Sequence, residues 1–376
     1  MLIGVPRETA AGETRVAATP ETAKKLKAQG HVVRVESGAG VAASATDEAY
    51  TAVGAEIVDR AAAFACELVL KVRSPDAAEL ALMKSGTNLV GMLNPFDRAG
   101  LDALAAAGLT SFALEAAPRT TRAQSMDVLS SQANIAGYRA VIDAAAEYGR
   151  VIPMMMTAAG MIKPATIFIM GVGVAGLQAI ATARKLAAIV TATDVRPATK
   201  EQVVSLGAKF IAVEDEEFKQ AETAAGYAKE MSADYKAKQA ALTASHIAAQ
   251  DIVITTALIP GRPAPVLITA AMVETMRPGS VIVDLAAERG GNCELTKPGE
   301  TVVSKNGVKI IGPLNIAGRL PATASALYAK NLLAFIETLV DPKTKSLAIK
   351  WDDELVKATL LTKDGGLAHP SFQGGG

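Results

Sequence analysis

The chain has 376 residues, half of them apolar, and its 38 basic side chains are balanced by 38 acidic ones. This length predicts two to three domains with substantial cores, and the charge balance excludes a polybasic surface for nucleic acid or lipid. Two cysteines, Cys66 and Cys293, exclude a disulfide framework and fit a reducing compartment. The N-terminus lacks the basic start of a signal peptide, and no window is long and apolar enough to span a membrane, so we expect a soluble, cytoplasmic chain.

The first 115 residues alternate short apolar runs with helical patterns. Thr19 is the expected N-cap of a helix that has Pro20 at its first position. The predicted strands cover residues 2–5, 31–35, 68–72, 88–92 and 110–114, and the predicted helices cover 20–29 and 97–107. Strands separated by helices predict βαβ units and a mostly parallel sheet.

A dense polar segment at residues 118–131 opens a long alanine-rich helix, predicted over 124–147, that connects two lobes. One interpretation is ordinary capping, with Ser125 or Asp127 accepting from free N–H groups of the helix. Capping needs only one or two such residues, which favours a functional interpretation. In that interpretation Arg119, Gln124, Asp127 and Ser130 face a nicotinamide carboxamide, its ribose or a substrate.

A dinucleotide-binding fingerprint begins at residue 167, where an apolar strand runs into Gly171-Val172-Gly173-Val174-Ala175-Gly176 and then into a helical pattern. Gly171 allows the tight turn, Gly173 lets the backbone approach a pyrophosphate, and Gly176 lets the helix pack against the strand. The phosphates are expected at the helix N-terminus. Asp194 follows the next apolar run, where it would accept hydrogen bonds from ribose hydroxyls and favour NAD(H) over NADP(H).

Further strands are predicted at residues 189–193, 209–213, 251–255, 280–284 and 308–311. A charged, glycine-interrupted insertion at 214–229 is either a lid over the cofactor or a solvated excursion, and the Gly226-Tyr227 pair favours a lid. Ligands of open α/β sheets bind beyond the carboxyl ends of the strands, so Leu258 is a candidate wall for the nucleotide or a plug of its own loop.

A second long helix, predicted over 322–338, returns the chain to the first lobe, which the tail then completes. We therefore predict an α/β protein of two Rossmann-like, doubly wound parallel-sheet domains linked by long helices, with a cleft between them. The predicted first domain covers residues 1–135 plus 322–376, and the predicted nucleotide-binding domain covers 136–321.

None of the three histidines, His31, His246 and His369, lies at a predicted cleft position. A dehydrogenase acting on an alcohol or amine removes a proton as well as a hydride, and it usually uses histidine as the base. Lys71 and Arg15 remain candidate binders of an oxyanion or carboxylate.

These segments resemble the proton-translocating NAD(P) transhydrogenases, at their NAD(H)-binding alpha subunit. The resemblance covers nearly the whole chain and is most specific at residues 118–127, 130–140, 171–176, 225–231 and 255–261. It implies a homodimer, an NADP(H)-binding partner and a membrane partner that conducts protons. The chain would then be held at the cytoplasmic face of the inner membrane through these partners.

The resemblance also assigns residue roles. It implies that the hydride-transfer region comprises Arg119, Gln124, Asp127, Ser130 and Tyr227, with Gln124 bridging toward the partner's nucleotide. It implies that NAD(H) is bound by Gly171, Val172, Gly173, Val174, Gly176, Asp194, Val195, Arg196, Gly226, Gln239, Leu258 and Arg122. Gly226, Tyr227 and Gln239 match a mobile loop that closes over the cofactor.

The chain also resembles alanine dehydrogenase, which has the same two-lobed fold. Arg15 and Lys71 match the pyruvate-binding residues of that enzyme, but residues 91–95 read Gly-Met-Leu-Asn-Pro where it has a catalytic histidine, and Glu288 stands where it has Asp. These departures favour hydride exchange between two nicotinamides, which transfers no proton and needs no histidine. A module that only senses NAD(H) is the third alternative.

Overall fold

The computed structural model describes residues 1–221 and 231–369, which form two compact units. Unit 1 comprises Met1–Gln132 together with Ala317–Gly376, and unit 2 comprises Ala133–Ile316. Each unit has its own parallel sheet and its own apolar core.

The N-terminal part of unit 1 alternates strands with helices, as the sequence pattern predicts. The elements are β1 (Leu2–Val5), α1 (Pro20–Ala28), β2 (Val32–Glu36), α2 (Asp47–Ala52), β3 (Glu56–Val58), α3 (Arg60–Phe64), β4 (Leu68–Arg73), α4 (Ala77–Leu80), β5 (Asn88–Met92), α5 (Arg98–Ala106) and β6 (Thr110–Ala113). The predicted cap of α1 is confirmed: the Thr19 side chain accepts from Thr22 N, and the Thr22 side chain accepts from Thr19 N.

Unit 2 begins within the long helix α6 and then builds a second alternating series. Its elements are α6 (Val128–Glu147), β7 (Met155–Thr157), β8 (Gly160–Ile162), β9 (Thr166–Met170), α7 (Val174–Lys185), β10 (Ile189–Thr193), α8 (Thr199–Ser205), β11 (Lys209–Phe210), α9 (Glu216–Lys219), α10 (Ala233–Ile247), β12 (Ile252–Thr255), α11 (Ala270–Thr275), β13 (Val281–Asp284), β14 (Thr301–Val303) and β15 (Lys309–Ile311).

The C-terminal segment belongs to unit 1. It consists of α12 (Pro321–Leu339), α13 (Glu354–Thr359), β16 (Leu360–Lys363) and β17 (Gly366–Leu367). Strand β16 pairs antiparallel with β6, so the tail extends the sheet of unit 1 as predicted.

Both sheets have the doubly wound order. Unit 1 runs β17-β16-β6-β5-β4-β1-β2-β3, and unit 2 runs β11-β10-β9-β12-β13-β15-β14. In unit 2 the order reverses between β9 and β12, which is the switch point where such sheets bind ligands beyond the strand ends. The predicted fold class is therefore confirmed.

Apolar residues cover both faces of each sheet, as expected for parallel strands between helices. In β9, Ile167 and Ile169 enter one core cluster, whereas Phe168 and Met170 enter another. In β4, Leu68 and Leu70 likewise face one cluster and Val69 the other.

Two findings concern the helices. The helix expected from residue 124 starts at Val128, because residues Thr121–Met126 form a 3₁₀ helix and Asp127 is non-helical (φ −73°, ψ 88°). Across residues 1–221 and 231–369, no helix has both the length and the apolar character that crossing a bilayer requires.

Candidate functional site

The glycine-rich turn of unit 2 lies between β9 and α7, at the switch point of the sheet. Gly171 has a φ of +101°, which favours glycine, and a Cβ at Gly176 would lie 1.9 Å from the Gly171 carbonyl oxygen. A Cβ at Gly173 would meet no atom within 4 Å. Gly173 is the N-cap of the 12-residue helix α7, and no side chain caps that helix. This open backbone at a helix N-terminus fits a pyrophosphate.

Asp194 follows β10 and is bonded to the glycine-rich turn. Its Oδ2 accepts from Val172 N at 2.7 Å, and the Arg196 guanidinium donates to both carboxylate oxygens at 2.9 Å. Arg196 Nη2 also donates to the Val172 carbonyl at 3.2 Å. Asp194, Arg196 and Val172 thus form one network, beside which Val195 is exposed. Ribose hydroxyls would join a carboxylate that already has a cationic partner.

Gln239, on α10, joins the ends of two strands. Its Oε1 accepts from Val213 N at 3.0 Å, and its Nε2 lies 3.3 Å from Thr193 Oγ1, next to Asp194. Gly226 and Tyr227, the predicted lid residues, lie outside the described residues.

The loop that follows β12 also starts at the glycine-rich turn. Thr256 N donates to the Met170 carbonyl at 2.8 Å, and Thr256 Oγ1 donates to the Gly171 carbonyl at 3.0 Å. Leu258, two residues later, is 53% exposed. Unit 2 therefore brings together the glycine-rich turn, Asp194, Arg196, Gln239 and the start of the Leu258 loop.

Unit 1 holds the polar segment that opens α6. Asp127 accepts from Ser130 N at 2.8 Å and from Ser130 Oγ at 2.5 Å, so these two residues satisfy the start of the helix, as the capping interpretation requires. Gln124 is exposed, and Arg122 pairs with Asp353 beside α13. Arg119 is half-buried in the loop before the 3₁₀ helix.

Asn331 is a residue of this region that sequence reasoning missed. From α12, its Nδ2 donates to the Ser125 carbonyl at 2.8 Å, and its Oδ1 accepts from Ser131 Oγ at 2.7 Å. It thereby fixes the backbone beside Gln124. No local pattern marks an asparagine within an apolar helix as a contact to a segment 200 residues away.

A second charged group in unit 1 contains the two residues that resemble substrate binders of alanine dehydrogenase. Arg15 donates through Nε and Nη2 to Glu13 and through Nη1 to Gln132. Lys71 lies 2.9 Å from Glu79 and 3.3 Å from Glu8. Burial raises the pKa of Glu13, but hydrogen bonds and charge interaction with Arg15 outweigh burial and lower that pKa to about 2. Both cations are therefore neutralised within the unit.

The three histidines lie away from the carboxyl ends of the sheets or outside them. His31 precedes β2 at its amino end, and burial lowers its pKa. His246, on α10, has its Nε2 2.8 Å from Thr191 Oγ1 and packs on Phe168, and burial lowers its pKa too. His369 follows β17 near the end of the described chain.

Comparison with known proteins agrees with this geometry. The family model described as alanine dehydrogenase/PNT, N-terminal domain, matches residues 4–136, and the model for the C-terminal domain matches residues 140–370. The chain is 54% identical over 384 aligned residues to an NAD(P) transhydrogenase subunit alpha of Rhodospirillum rubrum, with 100% of both chains covered.

A solved structure and a more distant enzyme extend the comparison. The crystal structure of transhydrogenase from Sinorhizobium meliloti matches with a TM-score of 0.90 at 54% identity and covers 98% of this chain and 100% of that chain. Alanine dehydrogenase of Mycolicibacterium smegmatis is 31% identical over 378 residues, covering 98% of this chain and 94% of the enzyme. The chain therefore belongs to the alanine dehydrogenase/PNT family, as its motifs predicted.

Proposed function

We propose that this chain is the NAD(H)-binding component of a proton-translocating NAD(P) transhydrogenase and is active only with its partners. The observation that carries the proposal is the glycine-rich turn of unit 2, which leaves an open backbone at Gly173 and is bonded to Asp194. The full-length similarity to relatives named as transhydrogenase alpha subunits supports the same function.

The residues of unit 2 provide distinct contacts for NAD(H). Gly171, Val172, Gly173 and Val174 would hold the pyrophosphate through backbone N–H groups, with Gly176 keeping α7 close to the turn. Asp194, Val195 and Arg196 would hold the adenosine ribose, and Leu258 would pack against the nucleotide. Gly226, Gln239 and Arg122 complete the proposed binding set.

Bound NADH supplies a hydride from C4 of its ring to C4 of NADP⁺, with no proton exchanged between the two rings. The chain therefore has to bind, orient and exclude water rather than move a proton. Arg119, Gln124, Asp127, Ser130 and Tyr227 would orient the nicotinamide. The positions of all three histidines, each tied to local packing or to a terminus, are consistent with chemistry that lacks an acid–base relay.

The alternative is an amino-acid dehydrogenase that resembles alanine dehydrogenase. An incoming keto acid would have to displace Glu13 from Arg15 or Glu8 and Glu79 from Lys71. Removing one partner of a buried ion pair is costly, because the other charge is left uncompensated. Activity with pyruvate and ammonium in the absence of partners would establish this alternative instead.

We propose a homodimer, for which the hairpin of β7 and β8 offers an interface. All six residues of its two strands are exposed, including Met156 at 72% and Met161 at 57%. A two-stranded hairpin is only marginally stable alone, and a contiguous exposed apolar patch is typical of a protein interface. A second copy of the chain would cover it.

Met156→Glu is expected to raise the dimer dissociation constant at least about 100-fold, because a charge would be buried without a partner. Sedimentation velocity across micromolar concentrations measures this. Val204→Glu, at an apolar position on α8 that is 57% exposed, is the matched control and should leave association unchanged. A wild-type protein that sediments as a monomer throughout would contradict the homodimer.

The remaining partners are an NADP(H)-binding component and a membrane component that conducts protons. These partners would hold the chain at the cytoplasmic face of the membrane.

The proposed function is tested by hydride exchange between NADH and an NADP⁺ analogue, measured with and without an NADP(H)-binding partner. The chain alone should be inactive, and the mixture should be active. Gln124→Asn should slow transfer about 10-fold and change NADH affinity less than about twofold, since a shortened side chain disturbs orientation more than binding. Stopped-flow absorbance and calorimetric titration separate the two effects.

The possible outcomes distinguish the three functions. Exchange that needs no partner, or none in the complete mixture, would contradict the proposal. NADH binding without any transfer would favour a sensing module. A collapse of NADH affinity in Gln124→Asn would assign Gln124 to the binding site rather than to orientation.

A further inference from the structure

Asn292 closes the loop formed by residues 257–265 at both of its ends. Its side chain accepts from Ala257 N at 3.0 Å and donates to the Ala257 and Pro265 carbonyls at 2.9 and 2.8 Å. Its own carbonyl accepts from Leu267 N at 2.8 Å and from Ile268 N at 3.0 Å. Asn292 is completely buried, and both its side-chain oxygen and its side-chain nitrogen are bonded. One residue thus holds the entry and the exit of the loop.

Asn292 is itself fixed by Asp284 at the end of β13. Asp284 Oδ2 accepts from Asn292 N at 2.7 Å, from Cys293 N at 3.0 Å and from Thr296 Oγ1 at 2.6 Å. Its Oδ1 accepts from Thr255 Oγ1 at the end of β12. The preceding Gly291 has a φ of +86°, and a Cβ there would lie 2.7 Å from Asp284 Oδ2. This close approach to the carboxylate requires glycine.

The loop lies against the glycine-rich turn. Thr256, immediately before it, bonds to Gly171, and a Cβ at Gly171 would lie 3.2 Å from Ala257 N. Inside the loop the backbone has little support of its own, with Arg262 N donating to the Ile259 carbonyl and Ala264 N to the Arg289 carbonyl. Leu258 and Ile259 are exposed there. Residues of such a loop depend on anchors at its ends for their positions.

We propose that Asn292 is a positioning residue for the nucleotide: it holds residues 257–265 so that Leu258 presents an ordered apolar surface beside the glycine-rich turn. The inference rests on the proposed NAD(H) site and adds a residue to it. A pre-ordered loop loses less conformational entropy when a ligand binds, so the effect on the ligand is one of affinity.

Hydrogen exchange in the absence of nucleotide tests the structural step. In Asn292→Ala, a peptide spanning residues 256–268 should exchange at least about 10-fold faster, because the Ala257 N–H and two carbonyls lose their partner. Asn306→Ala is the matched control: Asn306 Nδ2 donates to the Val273, Glu274 and Met276 carbonyls, so exchange should rise near α11 instead. Asn292→Ser replaces the alanine variant if that variant fails to fold. Unchanged exchange in residues 256–268 would overturn the proposal.

A double-mutant cycle tests the step to the nucleotide. Asn292→Ala should weaken NADH binding about 10-fold by calorimetry, and adding it to Leu258→Ala should weaken binding less than about twofold further, because the two residues act through one loop. Asn306→Ala should leave NADH affinity unchanged. Fully additive effects of Asn292 and Leu258 would overturn the positioning role. If the wild-type chain binds no NADH, the proposed function fails, whereas hydrogen exchange still decides whether Asn292 holds the loop.

Discussion

Gly173→Ala is expected to lower NADH affinity at least about 100-fold and to leave the folded protein intact. The backbone at Gly173 is extended, with φ −81° and ψ −166°, and an added Cβ would meet no atom of the chain within 4 Å. The free energy of unfolding should therefore stay the same or rise by about 0.4–1 kcal/mol, since alanine restricts the unfolded chain. The same open space is where a pyrophosphate must approach the backbone. Calorimetric titration with NADH and urea unfolding measure the two quantities.

Gly176→Ala provides the contrasting variant in the same motif. A Cβ there would lie 1.9 Å from the Gly171 carbonyl, which belongs to the backbone and cannot move aside alone. We expect this variant to lose stability by at least about 3 kcal/mol, as overpacking against a fixed backbone does. A Gly173→Ala protein that binds NADH like the wild type would place the phosphates elsewhere and remove the main support for the proposed site.

Much of the fold could be predicted because the central strands of both units are buried on two faces. Such strands read as unbroken apolar runs, and β9, β10 and β12 lie where the sequence pattern placed them, within one residue. Edge elements could not be predicted in this way. Strand β3 is half exposed and the hairpin of β7 and β8 is fully exposed, so neither has a distinctive apolar pattern. Their existence depends on the partners with which they pair.

The candidate site divides along the same line. The glycine-rich turn and Asp194 could be predicted because glycine spacing and a following carboxylate are local signals. The bonds from Asp194 to Val172 and Arg196, and from Asn292 to Ala257, could not, because they join loops that meet only once the sheet has formed. Asp127 shows a different limit. Its capping bonds to Ser130 are consistent with either interpretation of the polar segment, so the sequence alternatives stay open until transfer rates are measured.

Glu115→Gln is expected to stabilise the protein at alkaline pH and to have little effect at acidic pH. Glu115 lies in the short 3₁₀ helix after β6, where its Oε1 accepts from Asn94 N at 2.7 Å and its buried Oε2 has no hydrogen-bond partner within residues 1–221 and 231–369. Burial raises the pKa of Glu115 to about 7, against 4.5 for the ordinary group, while backbone N–H groups and Arg73 oppose the rise.

The sign follows from the folded pKa lying above the unfolded one. The protonated carboxyl stabilises the fold fully below about pH 4.5, and this contribution is lost as the pH rises through about 7. At about 1.4 kcal/mol per unit of pKa difference, ionisation at pH 8.5 costs up to about 3 kcal/mol. Glutamine stays neutral, and its carbonyl oxygen can still accept from Asn94 N, so Glu115→Gln should avoid this cost.

Urea unfolding between pH 5 and 8.5 measures the difference, which should grow from near zero to about 3 kcal/mol in favour of Glu115→Gln. Glu13 does not interfere, because its pKa of about 2 places its own contribution at a lower pH. Glu48→Gln, at an exposed position of α2, is the control and should parallel the wild type at each pH. A constant difference between Glu115→Gln and the wild type across this range would mean that Glu115 does not titrate in it. The orphaned Oε2 would then have to be explained by a carboxylate that stays ionised and is stabilised by Arg73 despite its burial.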